Sequence, residues 1–146
     1  MILYLDSSSL VKIYLEETHS DLVREWVEAA EVVATSRVAF PEILSAFSRR
    51  RALGDIERRD FDLLRETFES DWSSLLLLPL KERRAGALAE RHLLRGFDAV
   101  HLASAVELRE LLKSDDVLFS AFDKRLVSAA GAEGISCLLP ESEDPG

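Results

Sequence analysis

Five short apolar runs punctuate the sequence, at residues 2–5, 32–35, 75–78, 117–122 and 135–139, and the longer stretches between them repeat their apolar residues every three or four positions. This alternation constrains the fold more than any other feature. A short aliphatic or β-branched run reads as a strand, and a 3.6-residue apolar period reads as a helix with one buried side. Strands that alternate with helices are joined by right-handed crossovers, so the strands lie parallel and the helices cover the sheet. The sequence therefore predicts an α/β fold with a central parallel sheet of about five strands and helices on both faces.

The helical spacings are specific enough to place. Leu10, Ile13 and Tyr14 mark a helix over 7–17, and Ser20 is an N-cap for a second helix ending near Ala30. Ser36 caps a third that continues past Pro41 to Leu53. Asp55, after the break at Gly54, caps a fourth reaching Trp72. Further helices are predicted over 80–94, 97–113 and 124–130. The run at 75–78, fully apolar and bounded by Pro79, predicts a strand buried on both faces.

A chain of 146 residues, 47% hydrophobic and 31% charged, supports one ordinary domain and has room for a core without staples. That domain is predicted over 1–139, with an acidic, unpatterned tail over 140–146 expected to be disordered. A single cysteine, Cys137, excludes a disulfide scaffold and points to the cytoplasm. The longest purely aliphatic run, Leu75–Leu78, is far below the ~18 residues of a membrane span. The opening MILYLD has no basic n-region or cleavage site, so the mature chain is expected to begin there. A formal charge of -9 argues against an indiscriminate nucleic-acid coat. It leaves room for an acidic cleft that attracts divalent cations.

Where those acids sit decides the chemistry. Ligands of open parallel sheets bind beyond the carboxyl ends of the strands. Asp6 ends the first strand and Asp123 follows the fourth, so both project toward that edge. Asp98 opens the helix RGFDAVHLASA, and Glu42 lies early in VAFPEILSAF; each carboxylate stands among apolar neighbours and needs a partner. Each acid alone also reads as a helix cap or a solvated side chain. Together they are less innocent, because two carboxylates ~5 Å apart repel by about 3 kcal/mol at an effective dielectric of 20. Either some of the four are protonated or a cation holds them. An all-oxygen cluster suits Mg²⁺ or Mn²⁺.

Four segments carry a family resemblance: YLDSSSLVKIY around Asp6, PEILSAFSRR around Glu42, GFDAVHLASA around Asp98, and FDKRLVSAAGAEGI around Asp123. In this order, spread over nearly the whole chain, they resemble the PIN-domain ribonucleases, specifically the VapC-type toxins of toxin-antitoxin modules. The resemblance implies one PIN-like domain and a Mg²⁺-dependent endoribonuclease, with Mn²⁺ able to substitute. It also implies that Asp6, Glu42, Asp98 and Asp123 form the acidic catalytic and metal site, with Ser8 beside the first acid. The implied partners are an RNA substrate such as tRNA or rRNA, a VapB-type antitoxin, and a second copy in a homodimer. One departure stands out: the family has Thr or Ser two residues before the last acid, and this chain has Ala121, with Ser120 turned to the opposite strand face. Asp115 and Asp116 are alternatives for the fourth acid, but they precede the strand.

Other residues read more plainly. His101, three residues after Asp98, shares its helix face and reads as a packed, hydrogen-bonded histidine. The arginines at 49–51 and 58–59, with Lys81, Arg83, Arg84, Arg91 and Arg95, read as solvated charge, although Arg49 stands close enough to Glu42 along the helix to touch RNA. Cys137, Trp26 and Trp72 read as packing residues. Apolar positions near Ile43 and Phe61 could meet a partner helix. Phosphoacceptor and haloacid-dehalogenase chemistry each need a second acid near Asp6, where serines stand. The remaining alternative is a PIN fold that binds antitoxin or RNA and cleaves weakly.

Overall fold

The computed structural model describes residues 1–141, so most of the expected tail, 142–146, lies outside the described residues. Five parallel strands, β1 (Ile2–Leu5), β2 (Val32–Ser36), β3 (Leu76–Leu78), β4 (Val117–Ser120) and β5 (Ser136–Cys137), form one sheet in the order β3-β2-β1-β4-β5. The helices are α1 (Ser7–Tyr14), α2 (Ser20–Ala29), α3 (Ala39–Ala52), α4 (Arg58–Trp72), α5 (Glu82–His92), α6 (Gly96–Leu112) and α7 (Lys124–Ala132). The α/β architecture with a parallel sheet follows the alternation of the sequence.

β1 lies at the centre, and its alternating side chains divide the core. Leu3 and Leu5, fully buried, pack with Leu10, Val23, Ile43, Phe47 and Phe68 from α1 to α4. Tyr4 points the other way and packs with Phe119 and with α5, α6 and α7 through Leu88, Leu102 and Leu126. Helices therefore cover both faces. Chain order also turns back at β1: the chain builds β1, β2 and β3 outward on one side, then returns to place β4 on the other. That reversal opens a crevice at the carboxyl ends of β1 and β4.

Several local expectations are corrected. β3 is an edge strand rather than one buried on both faces, with Leu76 41% exposed and only Leu78 buried. An apolar run of that length cannot by itself reveal where in the sheet it will pair. α1 stops at Tyr14 because Leu15 turns extended. Ser20 does not cap α2: its hydroxyl donates to the Leu15 carbonyl (3.0 Å) and accepts from the Glu17 amide (2.9 Å), tying the loop between the helices. His19, left-handed at φ 71°, takes the cap position. Asp55 does not cap α4, which begins at Arg58 after Glu57. Ser36 accepts only from the Val38 amide, at 3.3 Å, and α3 starts at Ala39. Pro41 falls in the first turn of α3, where its missing N–H has no intrahelical partner to lose. Ile43 is fully buried and cannot meet a partner helix, whereas Leu53 and Leu63 are exposed. No helix among the described residues is long and apolar enough to cross a membrane.

Candidate active site

Asp6 is fixed by the end of the central strand. Its amide donates to the Ser120 carbonyl (3.1 Å), continuing the β1–β4 ladder by one residue, and its carboxylate then caps α1 by accepting from the Ser9 amide (2.9 Å). Ser8 donates to the same carboxylate, 2.7 Å from Oδ1 and 3.0 Å from Oδ2. The capping reading and the site reading thus hold together. Asp6 is only 3% exposed, and burial pushes its carboxyl from 3.8 up to about 6, with the Asp98 charge adding to the rise. The hydrogen bonds from Ser8 and the Ser9 amide oppose the rise without cancelling it.

Glu42, in the first turn of α3, is gripped through one oxygen. Ser7 donates to Oε1 at 2.7 Å, and His101 Nε2 stands 2.9 Å from the same atom. A carboxylate can only accept, so Nε2 carries the hydrogen, and Nδ1 in that tautomer accepts from the Tyr4 hydroxyl at 2.8 Å. Burial would raise the Glu42 carboxyl, but the bonds from His101 and Ser7 outweigh it and hold the group below its ordinary range. His101 is packed and hydrogen-bonded as the sequence reading expects, and it also positions an acid of the site. Ser7 and Tyr4 are missed by sequence reasoning. The Tyr4→Phe variant deprives buried Nδ1 of its donor and is expected to lose about 1–3 kcal/mol of stability, read by urea unfolding.

Asp98 occupies the first turn of α6, half-buried. Burial raises its carboxyl, the charges of Asp123 and Glu42 raise it further, and the Arg95 guanidinium works against them. Asp98 therefore feels Asp6, Glu42 and Asp123 electrically, and the structure brings the four acids to one edge of the sheet. Their packing is loose. Among the described residues no three acidic, histidine or cysteine side chains stand close enough to form a coordination sphere. Asp123 also caps α7, accepting from the Leu126 amide at 3.0 Å. Asp115 and Asp116 lie at the opposite edge, just before β4, where Asp116 meets the amino terminus at 3.2 Å.

Ala121 is buried and offers no hydroxyl, and Ser120 turns to the other face, where it bonds Ser9. The polar link there comes from Ser8 instead, whose oxygen accepts from the Phe122 amide (3.2 Å) while its proton goes to Asp6. Arg49 lines a cavity of 430 Å³ shared with Ser7, Ser8 and Glu42. The remaining sites behave as structural residues. Lys81, Arg84 and Arg91 pair with Glu107, Glu110 and Glu133. Trp72 packs edge-on against Phe40, Trp26 joins the core below α2, and burial pushes the Cys137 thiol up.

A parallel sheet ordered β3-β2-β1-β4-β5 with acids at its carboxyl edge defines a class that the comparisons identify. The PIN domain family profile matches residues 3–132, and the chain belongs to that family. Ribonuclease VapC45 of Mycobacterium tuberculosis (strain CDC 1551 / Oshkosh) is 33% identical over 147 residues, covering 99% of each chain. Among solved structures, FitAcB from Neisseria gonorrhoeae superposes with a TM-score of 0.62 at 17% identity, covering 97% of this chain and 99% of that one. A toxin-antitoxin complex from Klebsiella pneumoniae gives 0.60 at 13%, covering 86% and 90%.

Proposed function

We propose that this chain is a divalent-metal-dependent endoribonuclease, the toxin of a toxin-antitoxin pair, acting in the cytoplasm on RNA phosphodiester bonds. The observation that supports the reading is that Asp6, Glu42, Asp98 and Asp123, from four separate segments, lie at one edge of the sheet within electrostatic reach, where burial and mutual repulsion raise Asp6 and Asp98. The full-length relative with the name ribonuclease supports the reaction, and the toxin-antitoxin complex of similar fold supports the antitoxin partner.

The chemistry of the donor set fits Mg²⁺ or Mn²⁺: the four side chains offer carboxylate oxygens and no thiolate, the ligands such hard cations take alongside their own waters. Asp6, Glu42, Asp98 and Asp123 would hold it, and when bound it polarises the phosphodiester and makes water a nucleophile near neutral pH. Asp6 is the rigid member, held by Ser8 and the Ser9 amide. Glu42, gripped by His101 and Ser7, stays ionised and supplies fixed charge. Asp98, half-buried in the first turn of α6, lines the cavity that Glu42 and Arg95 share and would face the attacking water. tRNA and rRNA loops are the expected substrates, and a homodimer the expected free form.

Turnover tests the reading. The purified protein with Mn²⁺ is expected to nick RNA, and Asp98→Asn to lower the rate by about 100-fold or more, as loss of several kcal/mol of transition-state stabilisation requires. EDTA should have the same effect on the parent. A parent inactive on tRNA and rRNA alike, or an Asp98→Asn variant that cuts as well, overturns the proposal.

A further inference from the structure

Of the seven phenylalanines, all among the described residues, Phe97 is the one exposed, at 60%. Its position is particular. It directly precedes Asp98 at the start of α6, and it forms the wall between two cavities of 430 Å³ and 390 Å³ that both touch Glu42. Arg49 lines the first and Arg95 the second. Neither arginine forms an ion pair among the described residues, so each guanidinium beside the ring has room for an anion. An aromatic ring is thus held in solvent between two arginines that make no ion pair among the described residues, beside the carboxylates.

On the reading that the chain cuts RNA, we propose that Phe97 is a stacking platform for one unpaired nucleobase next to the scissile phosphate, with Arg49 and Arg95 taking backbone phosphates on either side. A flat base has an apolar π-face to cover the ring, and phosphates match the two guanidiniums; a plain apolar partner would leave both cations unanswered. A base inside a duplex is already stacked on its neighbours, so the platform selects RNA that is single-stranded at the cut. Phe97 touches substrate in this arrangement and fixes where the unpaired base stands, whatever its identity.

The experiment uses a short unstructured RNA whose cut site is mapped on the parent protein with Mn²⁺. Phe97→Ala and Phe97→Leu are expected to raise KM about 5- to 140-fold, the stacking of one base, and Phe97→Tyr to restore it. Replacing the stacked base by an abasic ribose should weaken the parent equally and leave Phe97→Ala unchanged. Anisotropy of the labelled RNA in EDTA reads the same pattern without turnover. Arg49→Ala and Arg95→Ala should each flatten the salt dependence of binding. Equal KM values for parent and Phe97→Ala, full function in Phe97→Leu, or a change confined to oligomeric state would overturn the platform while leaving the ribonuclease reading intact. A parent that cuts no RNA removes that reading itself.

Discussion

Asp6→Asn is expected to abolish cleavage and to make the metal-free protein more stable. The rate should fall by about 100-fold or more, since a neutral amide cannot hold a hard cation as a carboxylate does. The stability gain follows from burial. The folded carboxyl sits at about 6 against 3.8 for the ordinary group, so keeping it ionised in the fold costs about 3 kcal/mol at neutral pH. Asparagine removes that charge and can still cap α1 through its Oδ1. The pH dependence has a definite sign. Between 3.8 and about 6 the folded protein keeps a proton that the unfolded chain releases, so the stability from Asp6 is complete below 3.8 and is lost as pH rises through 6. The difference between variant and parent should therefore grow across that window and level off above it. Urea melts at several pH values in EDTA check this; a variant less stable than its parent at pH 7.5 contradicts it.

The second large effect belongs to Phe68. α4 runs for 15 residues, yet Phe68 is its single fully buried side chain. It meets Tyr14 edge-on at 5.4 Å, stacks on Phe40 at 5.4 Å, and contacts Phe47 and Trp72 at 6.1 and 5.5 Å. Phe68→Ala should cost about 3–5 kcal/mol, a large share of the 5–15 kcal/mol that holds a domain together. Because its other anchors, Phe61, Leu64 and Trp72, are only partly buried, the loss should appear first as local opening. Hydrogen exchange is expected to accelerate across 58–72 well before it does in β1, and uniform acceleration would contradict this.

The sequence made the strand-to-acid junctions readable because two signals coincide there. At Asp6 the apolar run stops on a carboxylate that also precedes a helical period, and the parallel-sheet rule then gives the edge. Glu42 and Asp98 were legible as acids among apolar neighbours. Their fastening was not. Ser7 and His101 grip one oxygen of Glu42 from 35 and 59 residues away, and Tyr4 backs the histidine across 97. No local period encodes contacts at such separations. Likewise, the leucines at 75–78 announce a strand but not its place at the margin, which depends on which neighbour pairs with it. Capping failed as a guide at Ser20 and Asp55 for a related reason: a hydroxyl or carboxylate next to a helix start can serve whichever amide the loop brings near. Ala121 read as a missing hydroxyl, and Ser8 reaches the same strand exit from the other side.

Both margins of the sheet are brief, three residues in β3 and two in β5, and each is followed within three residues by a proline, Pro79 or Pro140. An incoming β-ribbon would find few free amides to grasp on either border before a residue without one interrupts it. Runaway polymerisation through exposed backbone is curtailed accordingly, and the helices and the crevice offer far more surface to another molecule than the pleats do.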